Sequence, residues 1–234
     1  MSKYFELLKR AAIMRGGDPV ITWVSDAGRI ELSNTTFLNS VSKAANFLVD
    51  GLELDEESSI EVELGNHWQN PVWLGAALAS GVQLKTQGDI LFSDLECATS
   101  WQGPKESLVV VSRDPFGMPS KDVPDGFVNG SAEVRTYGDY FAPRWSNELD
   151  VLIEGTESFN WDELVGHTRA LQINYEISDG DCIGLLVPGD LLNRVSLTVV
   201  LPAIAGVSVV LIDQPNPDLT AITKQEKVNR IISN

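Results

Sequence analysis

Only two histidines and two cysteines stand in this chain of 234 residues, alongside 33 acidic and 17 basic side chains. His67 lies in Gly65-Asn66-His67-Trp68, a loop that leads to a helix start at Pro71. An imidazole beside unpaired backbone N–H groups there could meet an anion or a small ligand. The blander reading is a loop histidine that packs on Trp68 or caps the helix. His167 falls mid-helix, off the apolar stripe, and is expected to face water. Cys97 and Cys182 are far apart and form no pair at ligand spacing, so no metal is expected and buried reduced thiols fit best. Gly88-Asp89, Gly138-Asp139-Tyr140 and Gly180-Asp181 read as turns rather than metal carboxylates. The chain has no Gly-x-Ser-x-Gly elbow and no contiguous Asp-Phe-Gly, and no residue is assigned a catalytic role.

Two further short segments place small residues where a ligand could approach the backbone. Glu154-Gly155-Thr156-Glu157-Ser158-Phe159 follows a strand expected over 150–153, and Val187-Pro188-Gly189-Asp190 closes a strand expected over 182–187. With the His67 loop they give the candidate crevice: Gly65, Asn66, His67, Trp68, Glu154, Gly155, Thr156, Ser158, Pro188 and Gly189. The middle of the chain concentrates aromatics, Trp101, Phe127, Tyr137, Tyr140, Phe141 and Trp145. Of these, Trp101, Tyr137, Tyr140, Phe141 and Trp145 are the candidate partner surface, and simple loop cover over the sheet is the alternative.

The elements that must position these residues form a plan that occurs twice. Residues 33–85 run through a capped amphipathic helix, an acidic turn, a strand, the His67 loop, an apolar helix ending in Gly81-Val82, and another strand. Residues 158–213 repeat that order, with an Asn160/Glu163 capping box, a buried stripe from Trp161 to Tyr175, a strand over 182–187, a helix over 191–205 that Pro202 can kink, and a strand over 207–212. An amphipathic helix over 3–14 and a hairpin over 20–32 precede the first copy. Residues 60–64 alternate apolar residues with Glu61 and Glu63, which predicts a strand near a sheet edge. Between the copies, residues 86–147 show few helical periods. A doubly buried strand is expected at 108–111, with long loops around it and a short edge strand at 132–136. Residues 220–232 read as a terminal helix whose Lys224, Lys227 and Arg230 face the acidic body. Strands alternating with helices predict an α/β fold of two similar helix-strand units with mostly parallel sheets and helices packed on them. The expected subdomains are 1–147 and 148–234, packed as one unit.

A formal charge of −16 repels phosphate backbones and anionic lipid, so neither nucleic acid nor a membrane surface is an expected partner. No signal-like apolar segment opens the sequence and no run approaches a membrane span, so a cytoplasmic location is expected.

The order of elements resembles the amino-terminal region of the adenylate-forming superfamily, which includes acyl-CoA synthetases, peptide synthetase adenylation domains and luciferases. Residues 30–51, 54–84 and 150–213 carry the likeness. More narrowly, GNHWQNPVWLGAALASGV and EVRTYGDYFAP resemble a small group of uncharacterised actinobacterial proteins consisting of this region alone. In the enzymes the resemblance implies a Thr/Ser/Gly-rich loop ending in Pro-Lys-Gly after the strand at 150–153, holding the phosphates of ATP through backbone N–H groups and a lysine. Here that loop is EGTESF: the lysine is absent, and Glu154 and Glu157 bring negative charge. A carboxylate within ~5 Å of a phosphate is repelled by on the order of a kcal/mol or more at an intermediate dielectric. The Tyr-Gly-x-Thr-Glu segment, the ribose-binding aspartate and the carboxy-terminal catalytic lysine of the enzymes have no counterpart in the sequence. The expectation is a catalytically inactive domain with no cofactor, serving as a binding or protein-interaction module. The alternatives are a binder of a nucleotide, acyl or CoA-like molecule, and a subunit of a split AMP-dependent synthetase.

Overall fold

Apolar residues at helical and strand spacing build two sheets with helices between them. The computed structural model describes residues 2–104, 107–144, 151–187 and 189–233. Helix α1 (Lys3–Arg15) starts where the Ser2 hydroxyl accepts from the Phe5 N–H. The hairpin β1 (Pro19–Ser25) and β2 (Gly28–Ser33) follows, then α2 (Asn34–Asn46), which Ser33 caps and a π turn (Phe47–Gly51) prolongs. Next come β3 (Ser59–Glu63), α3 (Gln69–Ser80) and β4 (Gln83–Lys85). The middle of the chain supplies β5 (Ile90–Ser93), α4 (Leu95–Ser100), β6 (Leu108–Val110), β7 (Val128–Asn129) and α5 (Gly130–Glu133). A second hairpin, β8 (Leu152–Glu154) and β9 (Glu157–Phe159), leads to α6 (Trp161–Asn174) and β10 (Cys182–Leu185). A continuous helical run joins α7 (Leu191–Val195) to α8 (Leu201–Ala205) through a π turn (Ser196–Val200). Then follow β11 (Ser208–Asp213), α9 (Leu219–Glu226) and β12 (Arg230–Ile232).

One sheet has the order β12-β10-β11-β1-β2, the other β7-β6-β5-β3-β4-β8-β9. All pairings are parallel except the two hairpins. Helix α2 lies on β1 and β2, α3 lies on β3 and β4, and the two helices pack together, so helices fill the space between the sheets. That placement explains why all twelve residues of α3 are buried. Trp73 stacks at 4.7 Å from Phe92 and 5.9 Å from Phe47. Gly75 is required there because a Cβ would come within 2.8 Å of the Tyr4 hydroxyl.

Both copies of the repeat are present. In each, helix, strand, helix and strand follow in order, and the second helix ends on a glycine in the left-handed region, Gly81 at φ 86° and Gly206 at φ 67°. The capping box predicted at Asn160/Glu163 forms, and the π turn sits just before Pro202, whose missing N–H removes an ordinary helical bond. The doubly buried strand expected at 108–111 is β6, with every residue buried.

Four local expectations are corrected. β3 is the centre of its sheet rather than near an edge, because β4 and β5 pair on either side and Arg194 of α7 covers Glu63 with an ion pair at 2.9 Å. Residues 132–136 are helical, since the Asn129 side chain accepts from the Ala132 N–H and starts a turn; the edge strand is β7. The stretch read as loops contains β5 and α4, the latter capped by Asp94. The terminal helix stops at Glu226. Lys227 takes φ 56°, and β12 then pairs beside β10, anchored by paired bonds between Asn229 and Cys182.

The strands of the two halves also cross over. The amino-terminal hairpin joins the sheet of β10 and β11, while β8 and β9 extend the sheet of β3 and β4. The expected division between 147 and 148 falls outside the described residues, and the sheets do not divide there.

Candidate ligand cavity at the strand ends

The carboxyl ends of parallel strands point their loops to one side, and ligands favour such a place. Here β1 ends at Ser25, β11 at Asp213, β10 at Leu185, and β3 at Glu63. Their loops enclose a cavity of about 580 Å³ lined by Trp23, Ser25, Asp26, Gly65, Asn66, Arg113, Leu186, Ile212, Asp213 and Gln214, among others.

A polar wall holds it open. Arg113 Nη2 donates to Asp213 Oδ2 at 2.7 Å, and the Trp23 indole N–H donates to the same oxygen at 3.1 Å. Arg113 Nη1 reaches the Leu64 carbonyl at 3.4 Å and lies 3.8 Å from Asp94 Oδ2. One guanidinium thus ties the end of β11 to the ends of β3 and β5, which belong to the other sheet. Gln214 donates to Asp26 at 3.2 Å. Asn66 is buried, and its amide donates to the carbonyls of Leu185 and Ile212, both at 3.0 Å, locking the loop of the first repeat onto the strands of the second.

His67 stands behind this wall. It is fully buried, its ring 4.9 Å from that of Trp23 and 5.6 Å from that of Trp68. Nδ1 accepts from the Gln69 N–H at 3.4 Å, so the ring caps α3, and Nε2 has no partner among the described residues. Burial, with the nearby Arg113 charge second, pushes its pKa down to about 3. A neutral, enclosed imidazole does not act as an anion-binding cation. Packing and capping describe it, as the blander reading expected. Trp68 turns away and donates to the Pro115 carbonyl at 3.0 Å.

The remaining crevice candidates lie elsewhere. Gly155, at φ 60°, and Thr156 form the tight turn between β8 and β9, and Ser158 pairs with Ile153 on the exposed hairpin. Glu154 Oε1 accepts from the Leu191 N–H at 2.9 Å, at the amino-terminus of α7, which Asp190 also caps by accepting from Asn193. Gly189, at φ 71°, precedes that cap, and Pro188 lies outside the described residues. The candidates therefore separate: Gly65 and Asn66 line the cavity, Glu154 and Gly189 lie at the amino-terminus of α7, and Gly155, Thr156 and Ser158 stand on the exposed β8–β9 hairpin. Trp23, Arg113 and Asp213 were missed. Their signal was position, at or just beyond the ends of predicted strands.

The aromatic surface is corrected too. Phe141 is 4% exposed and meets Phe5 edge-on at 5.5 Å; Tyr137 packs on Phe47 at 5.7 Å. Trp101 is half-buried and donates to the Pro104 carbonyl at 3.0 Å. Tyr140 alone of the four is exposed, at 80%, and Trp145 lies outside the described residues. Phe141, Tyr137 and Trp101 thus pack against apolar clusters, the alternative already noted, while Tyr140 stays at the surface. His167 does not simply face water either; its Nε2 lies 3.0 Å from Asn193 Oδ1.

Among the described residues, no cluster of histidine, cysteine and carboxylate side chains could hold a metal ion, and no helix is long and apolar enough to cross a membrane.

The architecture is similar to the amino-terminal domain of acyl-CoA synthetases. The crystal structure of an acyl-CoA synthetase from Brucella canis superposes with a TM-score of 0.81 over 99% of this chain and 47% of that one, at 12% identity. Acetoacetyl-CoA synthetase from Streptomyces lividans gives 0.76 over 97% and 42%, at 14% identity. The chain thus spans less than half the length of either enzyme. In sequence it is similar to a "TIGR03089 family protein" of Mycobacterium tuberculosis, 31% identical over 146 residues, which are 56% of this chain and 59% of that relative. No family model matches the sequence.

Proposed function

We propose that this chain is a binding module built on the acyl-CoA synthetase fold and that it does not form adenylates. The observation that carries the reading is the bond from the Leu191 N–H to Glu154. The resemblance aligns the segment after β8 with a phosphate-holding loop, and here that segment is a tight hairpin turn whose carboxylate caps the nearest helix terminus. A helix amino-terminus favours an anion, and this one already has two in Glu154 and Asp190. The test is substrate-dependent exchange of pyrophosphate into ATP, assayed with a panel of carboxylic acids. No exchange above a protein-free blank is expected; exchange at an enzymatic rate overturns the reading.

The cavity favours a second reading, in which the module holds a nucleotide, acyl or CoA-like molecule, alone or as a subunit of a split synthetase. Its volume is within the range of small-molecule sites. A thermal-shift series with AMP, CoA and acyl-CoA separates the two: a saturable shift that Arg113→Ala removes supports the ligand reading. No shift with any of them leaves the protein-interaction role.

A further inference from the structure

We infer that α1 is a docking ridge for an acidic amphipathic helix of a partner protein. The buried side of α1, Tyr4, Phe5, Leu8 and Ala11, faces the core. Its outer side exposes Arg10, Ile13 and Met14, with Leu7 at the margin, partly buried against the core. Ile13 is 84% exposed and Met14 68% exposed, adjacent large apolar residues on one turn. A groove runs along each flank. One, of about 360 Å³, lies between α1 and α8 and is lined by Arg10, Met14, Arg15 and Asp179; the other, of about 350 Å³, is lined by Lys9, Ile13, Asp139 and Tyr140; Arg169 and Lys43 already face those two carboxylates, at 3.8 and 2.6 Å.

Charge selects the occupant. The helix carries Lys3, Lys9, Arg10 and Arg15 against Glu6, a local +3 (four minus one), on a chain of −16. Lys3 and Lys9 are engaged with Asp162 and Glu6. Arg10 and Arg15 have no carboxylate partner among the described residues. A cationic, apolar ridge between two grooves on an acidic protein complements carboxylates flanking an apolar stripe, and a helix is the shape that reads such spacing. In a two-fold dimer a second copy would set its own cationic ridge against this one, which disfavours it.

The test is fluorescence anisotropy with a labelled, helix-stabilised peptide of leucines on one face and glutamates on the other. Saturable binding is expected, weakened at least tenfold by Arg10→Glu, restored by Arg10→Lys, lost in Ile13→Ser/Met14→Ser, and unchanged by the distant Lys85→Glu. All the altered ridge side chains are exposed, so unfolding temperatures should hold. Absence of binding overturns the inference, as does equal binding by Arg10→Glu or equal binding of a lysine-flanked peptide. So does a concentration-dependent dimer that Met14→Ser abolishes, which would make the occupant a second copy. Binding to anionic phospholipid vesicles, lost in the same variants, would assign the ridge to a lipid surface instead.

Discussion

The two repeats follow one plan and end in opposite local states. In the first, α3 is buried at all twelve positions, the Gln69 N–H at its start meets the His67 ring at 3.4 Å, and Asn66 ties the preceding loop to the cavity wall. In the second, the equivalent helical run from Leu191 to Ala205 is buried nearly as fully, but its terminus is closed by Glu154 and Asp190. A duplicated unit has thus kept one strand-end loop as cavity wall and sealed the other with its own carboxylates. The first helices of the two units also differ in exposure: α2 packs on β1, β2 and α3, whereas α6 packs on the helical run of 196–205 and leaves its other face to solvent.

Substitutions can break this comparison. The largest contrast should come from a buried charge: Ala77→Glu in α3 leaves a carboxylate without a counter-ion and should cost about 3–5 kcal/mol, whereas Ala170→Glu on the exposed side of α6 should stay within about 0.5 kcal/mol. Urea denaturation measures both; similar costs would mean that α3 is not enclosed as described.

His67 gives the next effect. Its pKa, near 3 in the folded state against an ordinary 6.5, means that the unfolded chain binds the extra proton between those values. Its stabilising contribution is complete above pH 6.5 and declines as pH falls toward 3. Between pH 6.5 and 4 the wild type should lose about 3 kcal/mol more than His67→Phe. Parallel stability–pH curves would place the ring in water.

Asn66→Ala should cost about 2–3 kcal/mol, because it strands the buried carbonyls of Leu185 and Ile212, and it should loosen the joint between the repeats. Hydrogen exchange at the ends of β10 and β11 would report that loosening. The smallest effect belongs to the sealed terminus. Glu154→Ala should cost about 0.5–2 kcal/mol, as the loss of a helix cap does. If it also lets inorganic phosphate stabilise the protein, Glu154 is holding the place of an anion; no such gain would make it a cap alone.

Much of this was readable in residue order. Ser33, the Asn160/Glu163 box, Gly81, Gly206 and Pro202 act through neighbours within a few positions, so the helix boundaries of both repeats followed from them. The apolar, valine-rich run at 108–111 carried its own burial, since it suits a strand covered on both faces. Expectations failed where partners are distant. Glu61 and Glu63 mark β3 as an edge until β5, which was not foreseen, and Arg194, 131 residues away from Glu63, cover it. The apolar residues 228, 231 and 232 continued a helical period until β10 offered an unpaired edge.

The sequence by itself determined the repeated helix-strand plan, the strong charge, and the acidic, lysine-free segment from Glu154 to Phe159, because each of these is written in local chemistry or in composition. Only the tertiary structure decided which strands share a sheet. It alone brought Arg113, Asp213 and Trp23 together around one cavity, buried His67 beyond protonation at neutral pH, and left Ile13 and Met14 outside. Strand pairing, burial and exposure depend on what packs across from a residue, and that partner can lie anywhere along the chain.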